Sequence, residues 1–429
     1  MGLLFGSLFL FLVLRVPIGI CLGGSSLLYV LFCTQYPTII MGQSFLFFMH
    51  KYSLLAIPFF VTAGFVMGRT ALIEKLFDFC HELLKWLPGG VGVATMFTAV
   101  LFAAFTGSSV AEATTLGVIA FPSMKKRGYP DSLAAAIVAI GGTLGILIPP
   151  SWPMILYGVI VDENIAKLFI AGIIPGILLG SFLTLVIILY AQRRKLPSEK
   201  VEPARILKTL KPAIPGLLMP VVVLGGLYGG IFAPTEAGAF ACAYAILYGL
   251  AVDRSRFLKA LPDILHDSLR VITMVFFLLG GVGLFNGILA NEYLPQKLAQ
   301  AVTGLGISPF LLLFAYMGLL LFMGCFVDAS GMIGLTVPII FPVCMAMGID
   351  PIALGILIII NCELGAVTPP MGITLYGVSS VTQVAIEKIM RGVVPFFVVV
   401  ILFIVLLIFF PSISTWLPAT MYQPVFGGT

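Results

Sequence analysis

The chain has 429 residues, 60% of them hydrophobic and 10% charged, with a formal net charge of +5. A soluble domain carries about 25% charged residues. This composition, with a mean hydropathy of +1.15, excludes a water-soluble globular protein and predicts an all-α polytopic membrane protein. The 7 cysteines (Cys21, Cys33, Cys80, Cys242, Cys325, Cys344, Cys362) contain no C-x-x-C pair, and His50, His81 and His266 are far apart. Neither a disulfide framework nor a zinc site is expected from such spacing.

In chain order, residues 1–14 lack a basic n-region and a small-residue cleavage pattern, so they read as a retained first helix rather than a signal peptide. The apolar stretch continues past Arg15 to Phe32, and Pro17, without a backbone donor, predicts a kink. Residues 91–105 then run into the polar break Thr106-Gly107-Ser108-Ser109-Val110-Ala111-Glu112, and a second apolar segment follows to Phe121. Each segment is short against the ~20 residues a full span needs. A re-entrant helical hairpin is expected over about 91–123. Non-helical backbone at membrane depth is tolerated only where protein shields it or it lines a cavity. A broken helix is expected over about 132–162, interrupted by Gly141-Gly142-Thr143-Leu144-Gly145-Ile146-Leu147-Ile148-Pro149-Pro150-Ser151. Two consecutive prolines remove two helical hydrogen bonds and leave the preceding carbonyls unpaired. Residues 168–192 are uncharged and long enough to cross. Residues 193–211 hold seven basic residues and two acids, the longest polar stretch. The positive-inside rule places this linker in the cytoplasm. No aromatic-interleaved basic patch accompanies it, so nucleic acid is not an expected partner.

The plan then recurs at an offset of 220. Phe121-Pro122 answers to Phe341-Pro342, Gly128 to Gly348, Leu144-Gly145 to Leu364-Gly365, and Pro149-Pro150 to Pro369-Pro370. After one gap, Leu156-Tyr157-Gly158-Val159 answers to Leu375-Tyr376-Gly377-Val378. The second hairpin is expected over about 309–343, with its break at Gly324-Cys325-Phe326-Val327-Asp328-Ala329-Ser330-Gly331. The second broken helix is expected over about 352–382, with Asn361-Cys362-Glu363-Leu364-Gly365-Ala366-Val367-Thr368-Pro369-Pro370-Met371-Gly372 at its centre. Residues 1–192 thus form one repeat and 212–429 the other. Met124-Lys125-Lys126-Arg127 is strongly basic, whereas Cys344-Met345-Ala346-Met347 carries no charge, so the repeats are inverted in the membrane. Inverted repeats with broken helices at the midplane are a transporter signature. The stretches 2–32, 168–192, 212–252 and 393–416 read as long uninterrupted scaffold helices.

Unwound carbonyls and half-helix C-termini suit a small cation such as Na⁺, and half-helix N-termini suit an anion. Glu112 and Asp328 lie at the hairpin tips, and intramembrane carboxylates are functional by default. Asp328 sits within its break, whereas Glu112 also fits a helix-dipole role. Glu236 and Glu363 read as structural, satisfying free backbone N–H groups beside a break. Ser108, Ser109 and Ser151 are caps that remain able to touch a ligand. Arg69 and Arg15 are weak candidates for a carboxylate partner. No G-x-x-x-x-G-K-[ST], H-E-x-x-H or G-x-S-x-G occurs, so no ATPase or hydrolase chemistry is expected.

Several segments carry a resemblance. Ile57-Pro58-Phe59-Phe60, Gly107-Ser108-Ser109-Val110-Ala111-Glu112, Gly230-Ile231-Phe232-Ala233-Pro234-Thr235-Glu236-Ala237, Asp328 with its apolar run, Asn361-Cys362-Glu363-Leu364-Gly365 and Thr368-Pro369-Pro370-Met371-Gly372 resemble the large membrane subunit of tripartite ATP-independent periplasmic (TRAP) transporters. The family often has Asp where this chain has Glu112. The resemblance implies Na⁺-driven uptake of organic anions, C4-dicarboxylates or acidic sugars such as sialic acid, across the bacterial inner membrane. It implies a periplasmic solute-binding protein, a separate small membrane subunit of four helices, and an elevator-type fold. One Na⁺ is expected between Ser108 and Ser109 and the carbonyls of Gly145, Ile148 and Pro150. A second is expected between Gly324, Cys325 and Asp328 and Gly365, Thr368 and Met371. The organic anion is expected between the tips, touching Ser108, Ser151 and Asp328. The alternative is a binary Na⁺/dicarboxylate symporter working without a binding protein; a channel fits broken helices less well.

Overall fold

The structure is a computed structural model, describing residues 1–34, 37–252, 254–370 and 372–421. Twenty α-helices and no strand occur among them. Seven helices of the described residues are long and apolar enough to cross a membrane.

The chain begins with α1 (Gly2–Val13) and α2 (Ile18–Cys33). These are two arms of a hairpin, not one kinked helix: Arg15 takes φ 57, and the Phe11 ring lies 3.2 Å from where a Cβ on Gly24 would sit. A left-handed residue followed by Val16-Pro17 reverses the chain, which a proline kink alone does not do. Next come α3 (Thr38–Met49), α4 (Ala56–Arg69) and the amphipathic α5 (Leu72–Leu84). In the second half, α11 (Pro203–Tyr228) and α12 (Pro234–Val252) are likewise separate. The expected single helix over 212–252 is corrected, because Gly230 at φ 69 ends α11 and the Glu236 carboxylate caps the next turn by accepting from Ala233 N–H at 2.8 Å. The linker is also shorter than its polarity suggests, since α11 already starts at Pro203. A 38-residue helix, α13 (Arg254–Asn291), follows. It packs on α2, α3, α4 and α12. Gly281 makes this possible: a Cβ there would lie 2.5 Å from the Gly19 carbonyl oxygen. These helices form one layer of the molecule.

The other layer holds the repeated units. Hairpin 1 is α6 (Gly90–Thr106) and α7 (Ser109–Lys126); hairpin 2, after α14 (Leu294–Gly304), is α15 (Pro309–Gly324) and α16 (Ala329–Ala346). Both second arms run 18 residues, longer than their apolar stretch, because the helix continues past Pro122 and Pro342 to the loop. Broken helix 1 is α8 (Asp131–Gly142), a 3₁₀ turn over Thr143–Ile146 and α9 (Trp152–Val161). Broken helix 2 is α17 (Pro351–Ala366) and α18 (Ile373–Thr382). The Pro149–Pro150 and Pro369–Pro370 bonds are cis. The long helices α10 (Ile165–Arg194) and α19 (Ile386–Phe409) flank them, and α20 (Ser412–Met421) follows a bend at Phe410-Pro411, so the stretch 393–416 is not one helix.

The packing exchanges the repeats. Helix α7 lies on α18 and α16 on α9; α8 lies on α19 and α17 on α10. Each half of the molecule therefore completes the other, as a pseudo-two-fold relation requires. At one end, Arg127 Nε pairs with Glu199 at 2.9 Å, and Glu199 N–H donates to the Lys85 carbonyl at 2.9 Å. The basic loop after hairpin 1 and the linker thus share a side. Large apolar side chains such as Val118, Leu185 and Leu402 stay exposed on the periphery, as a lipid-facing surface demands.

Candidate solute and ion site

Both hairpin tips reach the same place. Helix α6 stops because Gly107 takes φ 53, and Ser108 in extended conformation precedes α7. A Cβ on Gly107 would sit 3.1 Å from Trp152 Cδ1 and 3.7 Å from the Pro150 carbonyl oxygen. Tip 1 thus rests on the broken part of broken helix 1. Tip 2 rests on broken helix 2 backbone against backbone: a Cβ on Gly324 would lie 2.6 Å from Gly365 Cα. Asp328 caps α16, accepting from Ser330 N–H at 3.1 Å and from the Ser330 hydroxyl.

A cavity of about 210 Å³ lies between the tips. Thr106, Ser108 and Ser109 face it from hairpin 1, and Gly324 and Asp328 from hairpin 2. Val61 and Phe65 of α4 and Val271 and Met274 of α13 close its scaffold side. The first residue of each of four helices lines it: Ser109 of α7, Trp152 of α9, Ala329 of α16 and Ile373 of α18. Helix N-termini carry unpaired N–H groups and a partial positive charge. None of the lining residues is Lys, Arg or His. Arg15 is exposed, and Arg69 pairs with Asp263 and Asp267, so neither arginine reaches the cavity.

The carboxylates occupy unequal positions. Glu112 is fully buried; it accepts from the Thr106 hydroxyl at 3.2 Å, and its Oε2 lies where a side chain on Gly145 would be. It therefore belongs with Ser108 and Gly145, a neighbour of the first expected Na⁺ set. Glu363 does not serve backbone N–H groups beside its break, which corrects the structural reading. Its Oε1 accepts from the Ser109 hydroxyl of the other repeat at 2.5 Å. The break is instead closed by Thr368 N–H donating to the Gly365 carbonyl at 2.9 Å.

The expected ligands divide as follows. Ser108, Ser109, Gly324 and Asp328 line the cavity, with Gly145 and Pro150 beside tip 1. Ile148 turns its side chain to Gly176 of α10. The Cys325 thiol and Thr368 hydroxyl donate to Leu321 and Leu364 carbonyls of their own chain turns. Met371 lies outside the described residues. Ser151, at the head of α9, is fully buried and does not line the cavity, with its hydroxyl unpartnered among the described residues. Thr106 and Thr374 also line the cavity. Sequence reasoning passed over Thr374, although its position just after the second break was the available signal. Asn361, expected in that break, lies instead within α17, which stays helical to Ala366; it donates to the Met317 carbonyl at 2.9 Å and joins α17 to α15.

The DctM component of tripartite ATP-independent periplasmic transporters matches residues 5–413. The chain belongs to this family. It is 39% identical over 368 residues to the C4-dicarboxylate TRAP transporter large permease protein DctM of Pseudomonas aeruginosa, covering 86% of each chain. It is 34% identical to the sialic acid TRAP transporter large permease protein SiaM of Vibrio cholerae, covering 97% of this chain and 98% of that one. The YdaH transporter of Alcanivorax borkumensis shares the fold at a TM-score of 0.62 and 16% identity, over 88% of each chain. This DctM-family chain is therefore a multi-pass component of a transporter, and its relatives are permeases rather than enzymes.

Proposed function

We propose that the chain is the solute-conducting subunit of a Na⁺-coupled uptake system for a small dicarboxylate, working in a bacterial inner membrane with the 193–211 linker in the cytoplasm. One observation carries the reading: four helix N-termini converge on a cavity without a basic side chain. Converging N-termini hold a carboxylate by backbone N–H groups and dipoles. The two carboxylates of a dicarboxylate can each take a pair of them. The cavity, about 210 Å³, is below the ~300–1,000 Å³ of sites for larger ligands, which favours a C4-dicarboxylate over a bulky acidic sugar. The relatives are named for C4-dicarboxylate and for sialic acid.

The Na⁺ ions supply the positive charge that the cavity lacks. The first would lie with Ser108, Ser109 and the carbonyls of Gly145, Ile148 and Pro150, with Glu112 as its charge partner. The second would lie with Gly324, Cys325, Asp328, Gly365, Thr368 and Met371. Bound Na⁺ would hold the tips in the shape that accepts the solute. The hairpins and broken helices would then move as one body against α2, α4 and α13, an elevator. A periplasmic solute-binding protein delivers the anion, and a small four-helix membrane subunit completes the scaffold.

The test is uptake in proteoliposomes holding this chain with its small subunit, with the purified binding protein outside. Labelled succinate should accumulate only with an inward Na⁺ gradient and the binding protein. Accumulation with Na⁺ alone would move the protein to a binary symport mechanism, and sialic acid accumulating in place of succinate would overturn the size argument.

A further inference from the structure

The two carboxylates that line the cavity each hold a serine hydroxyl, and one buried hydroxyl on its wall is left over. Asp328 accepts from the Ser330 hydroxyl and Glu363 from the Ser109 hydroxyl. Thr106 donates to Glu112 at 3.2 Å. Thr374 is 0% exposed, lines the 210 Å³ cavity and has no partner for its hydroxyl among the described residues. A buried hydroxyl without a bond costs free energy, so such a group beside a cavity marks a bond to be made with what enters it.

Its place in the chain explains the spare donor. Threonines further along a helix return their hydroxyls to the preceding turn: Thr114 to the Val110 carbonyl at 2.8 Å, Thr336 to Met332 at 2.7 Å and Thr382 to Val378 at 2.7 Å. Thr374 is the second residue of α18, so no helical turn precedes it. Thr235, second in α12, is likewise unpartnered among the described residues but does not line the cavity. Helices α7 and α18 lie side by side and run the same way. A Cβ on Gly377 would sit 3.1 Å from the Val110 and Thr114 side chains, and one on Gly117 would sit 2.7 Å from Val381. Both heads therefore open at one corner of the cavity, with Ser108 in front of α7 and Thr374 in the first turn of α18. That corner combines the N–H groups of two first turns, two partial positive dipoles and a hydroxyl with no other bond.

We propose that Thr374 donates its hydroxyl to one carboxylate of the solute and sets the affinity of the permease for it; the inference rests on the dicarboxylate reading of the proposed function. A hydrogen bond to a charged acceptor is stronger than one between neutral groups. Because the donor itself is uncharged, it adds recognition and leaves the charge of the anion to be balanced by Na⁺ and the helix heads. Thr374 is thus a solute contact, distinct in role from the hydroxyls that Glu112, Asp328 and Glu363 already hold.

The experiment measures succinate binding by calorimetry to the solubilised complex of this chain and its small subunit, in saturating Na⁺. Thr374→Val keeps the shape and removes the donor. It should weaken succinate binding about tenfold or more, the loss expected of a hydrogen bond to a charged group. Thr374→Ser keeps the donor and should bind close to wild type. The unfolding temperature of the succinate-free complex against Na⁺ concentration should keep its midpoint in Thr374→Val. Unchanged succinate binding in Thr374→Val overturns the site, and a lowered unfolding temperature beside it would give the hydroxyl to Glu363 as a structural partner. A raised Na⁺ midpoint would make Thr374 an ion ligand and overturn the site too. Should Thr374→Val not assemble, Thr374→Ala replaces it and is set against Thr374→Ser, since those two differ in the hydroxyl alone; equal binding by both overturns the site. No binding of succinate by the wild type removes the dicarboxylate reading and this inference with it. Binding that ignores Na⁺ sinks only the coupling, and the loss in Thr374→Val then still supports the site.

Discussion

The two hairpin tips occupy equivalent places in the repeats and are built differently. Tip 2 meets its broken helix glycine on glycine, Gly324 against Gly365. Tip 1 meets its own through a side chain, Glu112 over Gly145. Met332 stands in hairpin 2 where Glu112 stands in hairpin 1, and its sulfur lies near Gly324. Tip 2 is also self-contained: its carboxylate caps its own helix, and Phe322 and Phe326 beside it are exposed. Tip 1 reaches across to Glu363 of the other repeat. One tip is thus held by backbone fit, the other by side-chain hydrogen bonds of its serine and glutamate. Equal topology does not mean equal chemistry.

Substituting the paired glycines should break this contrast most severely. In Gly365→Ala the new Cβ would sit 2.7 Å from Gly324 Cα, and backbone does not yield as a side-chain end does. A loss of about 3 kcal/mol is expected from overpacking, read as a lower unfolding temperature of the solubilised protein. Gly145→Ala overlaps the movable end of Glu112 and only touches the Ser108 backbone, so it should cost less stability; under the proposed Na⁺ coupling it should also raise the Na⁺ needed for half-maximal uptake. Equal destabilisation by both would erase the distinction.

The polar bonds come next in size. Ser109→Ala leaves buried Glu363 without its donor, and should cost about 1–3 kcal/mol. Ser330→Ala should cost less, because Ser330 N–H still caps Asp328. Thermal unfolding of the pair tests the order, and a larger effect at Ser330 would reverse the assignment.

The smallest expected effect lies at the end of hairpin 1 away from its tip. Arg127 Nη2 donates to His81 Nε2 at 2.9 Å. Burial, with the Arg127 charge added, lowers the His81 pKa from its ordinary 6.5. The folded state then binds fewer protons than the unfolded chain once pH falls below about 6.5, so stability declines on acidification and is level above it. Unfolding temperatures at pH 7.5 and 5.5 should show a decline that His81→Gln reduces. Glu199, lowered by its Arg127 hydrogen bond, adds a decline of the same sign only at more acid pH.

Much of this architecture was legible because breaks in membrane helices are chemically loud. Thr106-Gly107-Ser108 and the two Pro-Pro pairs mark where hydrogen bonds must stop, and the 220-residue offset pairs them. Reversals within apolar stretches were quieter. The turn at Arg15 depends on one left-handed residue, and the division of α11 from α12 on one glycine and a capping box, neither of which interrupts hydropathy. Glu363 was misread for another reason. Its donor lies 254 residues away, and an exchange between repeats leaves no local pattern.

The Glu199 pin has a mechanical meaning. Between α10 and α11 the chain has only residues 195–202 outside helix, and a chain extends at most about 3.5 Å per residue. This short tether bounds how far the repeats can separate. Because Glu199 is fastened midway to both Lys85 and Arg127, the tether's working length is set by whether that knot is tied. Breaking both of its bonds would lengthen the tether without stretching any helix.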